Sequence, residues 1–204
     1  MRRVIITLVA LFATLTYSSA QSANEWLERL DNSLGERFAF DIFVEVGEVD
    51  NVEDQLAGFV MVEGDGYYMT LGTMEVYSDG KLRYEINNER KEVVEDRVNL
   101  EAVDLLTNPT RAFDFVPEEF YAKVTALSDG SVTLQLTPRS DALGITAITL
   151  QLKYSDASVT PATISYDYDG DIITIQLTKV ADKELTLRRW DKNAYRAYDI
   201  VSFL

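Results

Sequence analysis

The sequence predicts a mainly β (α+β) fold: a strongly curved antiparallel sheet forming an unclosed β-barrel, with a helical lid over an apolar cavity. Three observations carry this. Eleven segments have the two-residue period or the apolar character of strands. Four Asp-Gly pairs (Asp65-Gly66, Asp79-Gly80, Asp129-Gly130 and Asp169-Gly170) fall between consecutive segments, and Asp-Gly supplies the positive φ angles of a tight hairpin. Helical period appears only twice. Two short helices cannot cover the apolar face of so many strands unless the sheet curls around them.

In chain order, Met1-Arg2-Arg3, the apolar run over 4–15, and Ser18 and Ala20 at the −3 and −1 positions read as a secretory signal peptide over 1–20. The apolar run is far shorter than the ~20 residues a membrane-spanning helix needs. Residues 21–204 read as a single domain. A helix is predicted over 24–34, capped by Asn24, with Glu25 and Glu28 in its first turns and Trp26, Leu27, Leu30 and Leu34 on one stripe; Gly35 stops it. Strands follow at 38–46, 56–63, 67–71, 74–78, 82–87 and 92–97. A second helix is expected over 101–107, where Ala102, Leu105 and Leu106 would share a face before Asn108-Pro109. The loop over 111–117 is apolar for a surface connection. Strands resume at 120–127, 132–137, 145–154, 162–168 and 172–180, so the sheet reads as a meander.

Composition narrows the chemistry. The 204 residues include 34 acidic and 19 basic side chains, a formal charge of −15, which repels nucleic acid and anionic membrane surfaces. Histidine and cysteine are both absent, which removes His-based acid–base catalysis, thiol nucleophiles, disulfides and the usual zinc and iron–sulfur sites. Tyr166-Asp167-Tyr168-Asp169-Gly170-Asp171 clusters oxygen ligands but lacks the spacing and distal Glu of an EF-hand, and reads as a charged hairpin turn. The acidic pairs Glu95-Asp96 and Glu118-Glu119 have nothing to fix their separation as glycosidase chemistry requires, and read as solvated surface. Ser78-Asp79 and Ser140-Asp141 lack a base and a Gly-x-Ser-x-Gly elbow. The expectation is no enzyme, no cofactor and no metal.

Several segments occur in the order of a known family. They are the signal peptide, the first helix, the stretch from Gly58 to Tyr68, the hairpin Ser78-Asp79-Gly80-Lys81 followed by Tyr84, the Leu105-Leu106 segment before Asn108-Pro109, and the ending from Tyr195 to Val201. In these the chain resembles the outer-membrane lipoprotein carriers, the LolA-like periplasmic lipoprotein chaperones. The resemblance implies a soluble periplasmic monomer that binds the acyl chains of lipoproteins. Such a carrier accepts them from an inner-membrane lipoprotein-releasing ABC transporter and passes them to an outer-membrane acceptor. One feature departs from the family. Many members carry an Arg-Pro at a hairpin tip, where the Arg holds the lid shut; here the tip is Gly64-Asp65, and the aromatic that follows in the family falls at Tyr67 or Tyr68.

The candidate cavity and lid residues are Trp26, Leu30, Leu34, Phe38, Phe40, Ile42, Val44, Phe59, Met61, Tyr68, Leu82, Tyr84, Leu105, Leu106, Phe113, Phe115, Ile148, Leu150 and Leu152. The same alternation would equally serve an ordinary core. In that alternative the chain is a secreted, non-enzymatic interaction module, and a carrier of another lipid is also open.

Overall fold

The computed structural model describes residues 22–48, 51–181 and 185–204. The signal-peptide reading of 1–20 lies outside the described residues.

The helix α1 spans Ala23–Leu34. Its cap is Ser22, two residues before the expected Asn24. Ser22 Oγ accepts the Glu25 amide while the Glu25 carboxylate accepts the Ser22 amide, a reciprocal pair that satisfies two otherwise orphaned donors. Gly35 ends the helix at a positive φ, its amide bonded to the Asp31 carbonyl.

Twelve strands follow: β1 (Arg37–Glu48), β2 (Asn51–Glu63), β3 (Gly66–Leu71), β4 (Met74–Ser78), β5 (Leu82–Asn87), β6 (Glu92–Arg97), β7 (Phe120–Ser128), β8 (Ser131–Pro138), β9 (Ala147–Tyr154), β10 (Val159–Tyr168), β11 (Asp171–Lys179) and β12 (Asp199–Ser202). They form one sheet in the order β12-β6-β5-β4-β3-β2-β1-β11-β10-β9-β8-β7. The sheet is therefore two meanders, β1–β6 and β7–β11, joined where β1 pairs antiparallel with β11. β12 adds to the outer edge of β6 in parallel. β7 and β12 end the sheet without pairing to each other, so the barrel is not closed.

The sheet wraps around a core that draws on α1, the connector between β6 and β7, and inward residues of nine strands from β1 to β11. A Cβ on Gly58 would run into the Thr70 carbonyl across the β2–β3 pair, so glycine is required there.

The second expected helix does not form. Residues 101–108 are turns, followed by a short 3-10 turn over Pro109–Arg111. Asparagine and aspartate side chains take the amides a helix would use: Asn99 Oδ1 accepts from Glu101 and Asp104 Oδ1 from Thr107. The connector is also held to the sheet through its backbone, by the tyrosine contacts described below. Among the described residues the cover is thus one helix and one irregular connector.

Candidate functional site

The concave face is apolar and occupied. α1 sits at one end of it, against β10 and β7. There the Arg29 guanidinium donates to the Ser155 carbonyl at 3.0 Å, and Ser33 Oγ accepts the Val159 amide at 3.0 Å. Trp26 packs on Tyr154, with ring centroids 4.7 Å apart, and Arg29 lies over the Trp26 ring at 4.6 Å. The indole N–H of Trp26 is buried without a hydrogen-bond partner in the protein. Beyond the helix, the connector crosses the middle of the face. Its Leu105 amide donates to Tyr166 Oη at 3.0 Å, and its Thr107 carbonyl accepts from Tyr67 Oη at 3.3 Å. Burial raises the pKa of both tyrosines, so they stay neutral. Phe113 wedges between α1 and the sheet, 5.8 Å from the Phe38 ring and 6.2 Å from Phe40.

Most of the sequence-derived candidates meet here. Trp26, Leu30, Leu34, Phe38, Phe40, Ile42, Val44, Leu105, Phe113, Phe115, Ile148, Leu150 and Leu152 belong to this one buried cluster, with Leu106 half-buried against it. Others do not. Met61 and Tyr68 are buried, and Phe59 and Tyr84 half-buried, in a second cluster on the opposite, convex face. The register makes this plain: Ala39, Met61, Tyr68, Tyr77 and Tyr84 form one cross-strand row on that face. The inward residues of the same strands are Val60, Val62, Tyr67, Met69 and Val76, of which the sequence reading pointed only to Tyr67, as the alternative to Tyr68. Leu82, half-buried opposite Arg97, joins neither cluster.

The convex cluster exists because the C-terminal segment lies across β2–β6. Trp190 stacks between Tyr84 (4.5 Å) and Tyr195 (5.0 Å). Arg188 donates to Tyr68 Oη at 3.0 Å, Tyr77 Oη pairs with Tyr195 Oη at 2.9 Å, and Tyr198 Oη donates to Asn88 Oδ1 at 3.0 Å. At the centre is the Glu75 carboxylate. Burial works against its charge, but hydrogen bonds from Asn88, Tyr77 and Tyr68 outweigh that and hold its pKa below the ordinary range.

The hairpin tip Gly64-Asp65 lies just past α1, the Gly64 amide donating to the Glu36 carbonyl at 2.8 Å. Arg37 bonds to the Glu63 carboxylate and to the Leu185 carbonyl, which ties the same corner to the C-terminal segment. Asp167, within the acidic hairpin, is engaged by the Gly170 amide as a turn. Among the described residues no three acidic side chains converge on a point where a cation would sit. None of the described helices is long and apolar enough to cross a membrane.

No family model matches the sequence, and no curated protein does. Solved structures are similar to it. An uncharacterized conserved protein from Thermus thermophilus aligns over 88% of this chain and 98% of its own, with 13% identity and a TM-score of 0.53. A LolA superfamily protein from Nitrosomonas europaea aligns over 86% and 98% (12% identity, TM-score 0.42). A domain from Vibrio parahaemolyticus named as an outer membrane lipoprotein-sorting protein aligns over 83% and 95% (10% identity, TM-score 0.46). The fold is an unclosed β-barrel with a helical lid, and the first of these likenesses extends it across nearly the whole of both chains.

Proposed function

We propose that this chain is a periplasmic carrier of lipoprotein acyl chains. In this reading residues 1–20 are removed as a signal peptide and 21–204 act as one soluble, monomeric, non-catalytic domain without cofactor or metal. It would take cargo from an inner-membrane lipoprotein-releasing ABC transporter and give it to an outer-membrane acceptor. The observation that carries the reading is the concave apolar face, whose cover is attached mainly by non-directional apolar contact.

The energetics suit a carrier. Each buried methylene contributes ~0.8 kcal/mol, so a dozen from one chain are worth on the order of 10 kcal/mol. A face standing empty would hold two or three chains almost irreversibly, and would aggregate when free. Here Trp26, Leu30, Leu105 and Phe113 already occupy it. The ligand must displace them, which offsets much of the gain and leaves an affinity from which cargo can be released. Without the family's Arg at the hairpin tip, closure in this reading relies on Arg29, Ser33, Tyr67 and Tyr166.

The burial of this face also favours a second reading, a secreted interaction module with a solid core. One experiment separates the two. Protein taken from the native envelope is examined by native mass spectrometry, and purified protein is titrated with a fluorescent fatty-acyl probe. The carrier reading expects bound lipid or lipoprotein and saturable probe binding. A bare protein that ignores the probe selects the module.

A further inference from the structure

Among the described residues, neither α1 nor the connector lines one end of the concave face. At the strand ends opposite α1 lies a cleft of about 460 Å³ formed by Val46, Gly47, Tyr168 and Ile173, with Glu48, Glu53 and Asp171 at its rim. Its size falls within the ~300–1,000 Å³ of ordinary small-molecule sites. Val46, Tyr168 and Ile173 are half-buried and pack against the main core, so the cleft continues into the face that the cover occupies. Leu56, directly opposite Val44 and hence on the concave side, is 41% exposed at the same end. These features make it the mouth of the barrel.

The rim is unusual in its charge. Glu48 and Asp171 stand directly opposite each other across β1 and β11, a like-charge pair that costs stability. Glu53 adds a third carboxylate, and the residues forming the cleft include no cation. A fatty acid or an anionic phospholipid seated with its tail in this cleft would bring its own negative charge against that rim. An acyl chain on an uncharged glycerol or amide head would not.

We propose that this cleft is where an acyl chain first enters, and that its acidic rim selects chains with uncharged heads, such as acylglycerols, over free carboxylates. This rests on the carrier reading and refines it. The test compares lauroylglycerol with laurate, which share one tail, at neutral pH in low and high salt (about 0.01 and 1 M, Debye lengths of roughly 30 and 3 Å). The intact domain, the charge-neutral variant Glu48→Gln/Glu53→Gln/Asp171→Asn and the blocked variant Ile173→Trp are each measured. The wild type is expected to prefer lauroylglycerol by about tenfold or more in low salt. High salt or the triple variant should shrink that preference to about threefold or less, and Ile173→Trp should weaken both ligands while its thermal unfolding stays cooperative. Equal affinities in the wild type overturn the rim's role and leave the carrier reading standing. So does a preference that persists in the triple variant, which would assign it to the overall charge. Unaltered binding by a folded Ile173→Trp overturns the location. Failure of the wild type to bind either ligand overturns this inference and the carrier reading together.

Discussion

The concave face and the β2–β6 part of the convex face are each covered, and they are covered in opposite ways. On the concave side the contacts are aliphatic and phenylalanine-rich; among the described residues, hydrogen bonds join Arg29 and Ser33 of α1 to Ser155 and Val159, Tyr166 and Tyr67 to the middle of the connector, and Arg139 to its end at Pro117 and Glu119. On the convex side the C-terminal segment is stitched down by stacked aromatic rings and a tyrosine network around Glu75. Apolar contact is non-directional, so one apolar occupant can replace another at modest cost. A hydrogen-bonded network loses its partners outright when it opens, leaving unsatisfied groups behind. In the carrier reading the concave cover is therefore the exchangeable one and the convex cover the fixture.

Truncations within the concave core sharpen the contrast most. Leu150→Ala, in the fully buried wall, should lower unfolding free energy by about 2–5 kcal/mol in denaturant titration. Leu105→Ala, in the cover, should cost stability in the same range yet bind an acyl probe more tightly than the wild type, because less has to be displaced. If both variants simply lose affinity, the cover is not a competitor for the face.

On the convex side, Tyr77→Phe removes a hydroxyl that contacts both Glu75 and Tyr195. It should cost about 1–2 kcal/mol of stability while leaving acyl binding unchanged. A matching loss of probe affinity would mean that the two faces are coupled.

Acid should loosen the convex side first. The folded Glu75 pKa is lowered, so its contribution to stability is present above the ordinary glutamate range and is lost as pH falls through the folded value. Tryptophan fluorescence on acidification should therefore report Trp190 leaving Tyr84 and Tyr195, and Glu75→Gln should flatten that transition. The smallest effect belongs to Arg29→Ala, which removes an exposed cap on the α1 contact. A loss of under about 1 kcal/mol is expected, seen as faster amide exchange within α1 and not as a shift of global unfolding.

How far this was legible in the sequence follows from the same two faces. Strand positions and hairpins were readable because Asp-Gly turns and alternation are local signals; β4, β5 and β6 fall at 74–78, 82–87 and 92–97 as expected. Which phase of the alternation points inward was not readable in β2 and β3, because there both phases are apolar or aromatic along 59–62 and 67–69. Phe59 and Met61 read as well as Val60 and Val62, and Tyr68 as well as Tyr67. In β9, whose other face is solvated, Ile148, Leu150 and Leu152 were unambiguous. The connector misled because Ala102, Leu105 and Leu106 have helical spacing, while Asn99, Asp104 and two distant tyrosines decide its path. The acidic mouth was invisible, since register alone brings Glu48 opposite Asp171.

The central claim is that α1 must leave the concave face before an acyl chain can take its place. Ser33 and Val159 touch across that contact, in a chain that contains no cysteine. Cysteines at these two positions should form a disulfide that locks the helix down. Acyl-probe binding by Ser33→Cys/Val159→Cys is predicted to fall, when oxidised, to what the open cleft alone supports, and to return to the wild-type level on reduction. Equal binding in the locked and unlocked forms would contradict the account.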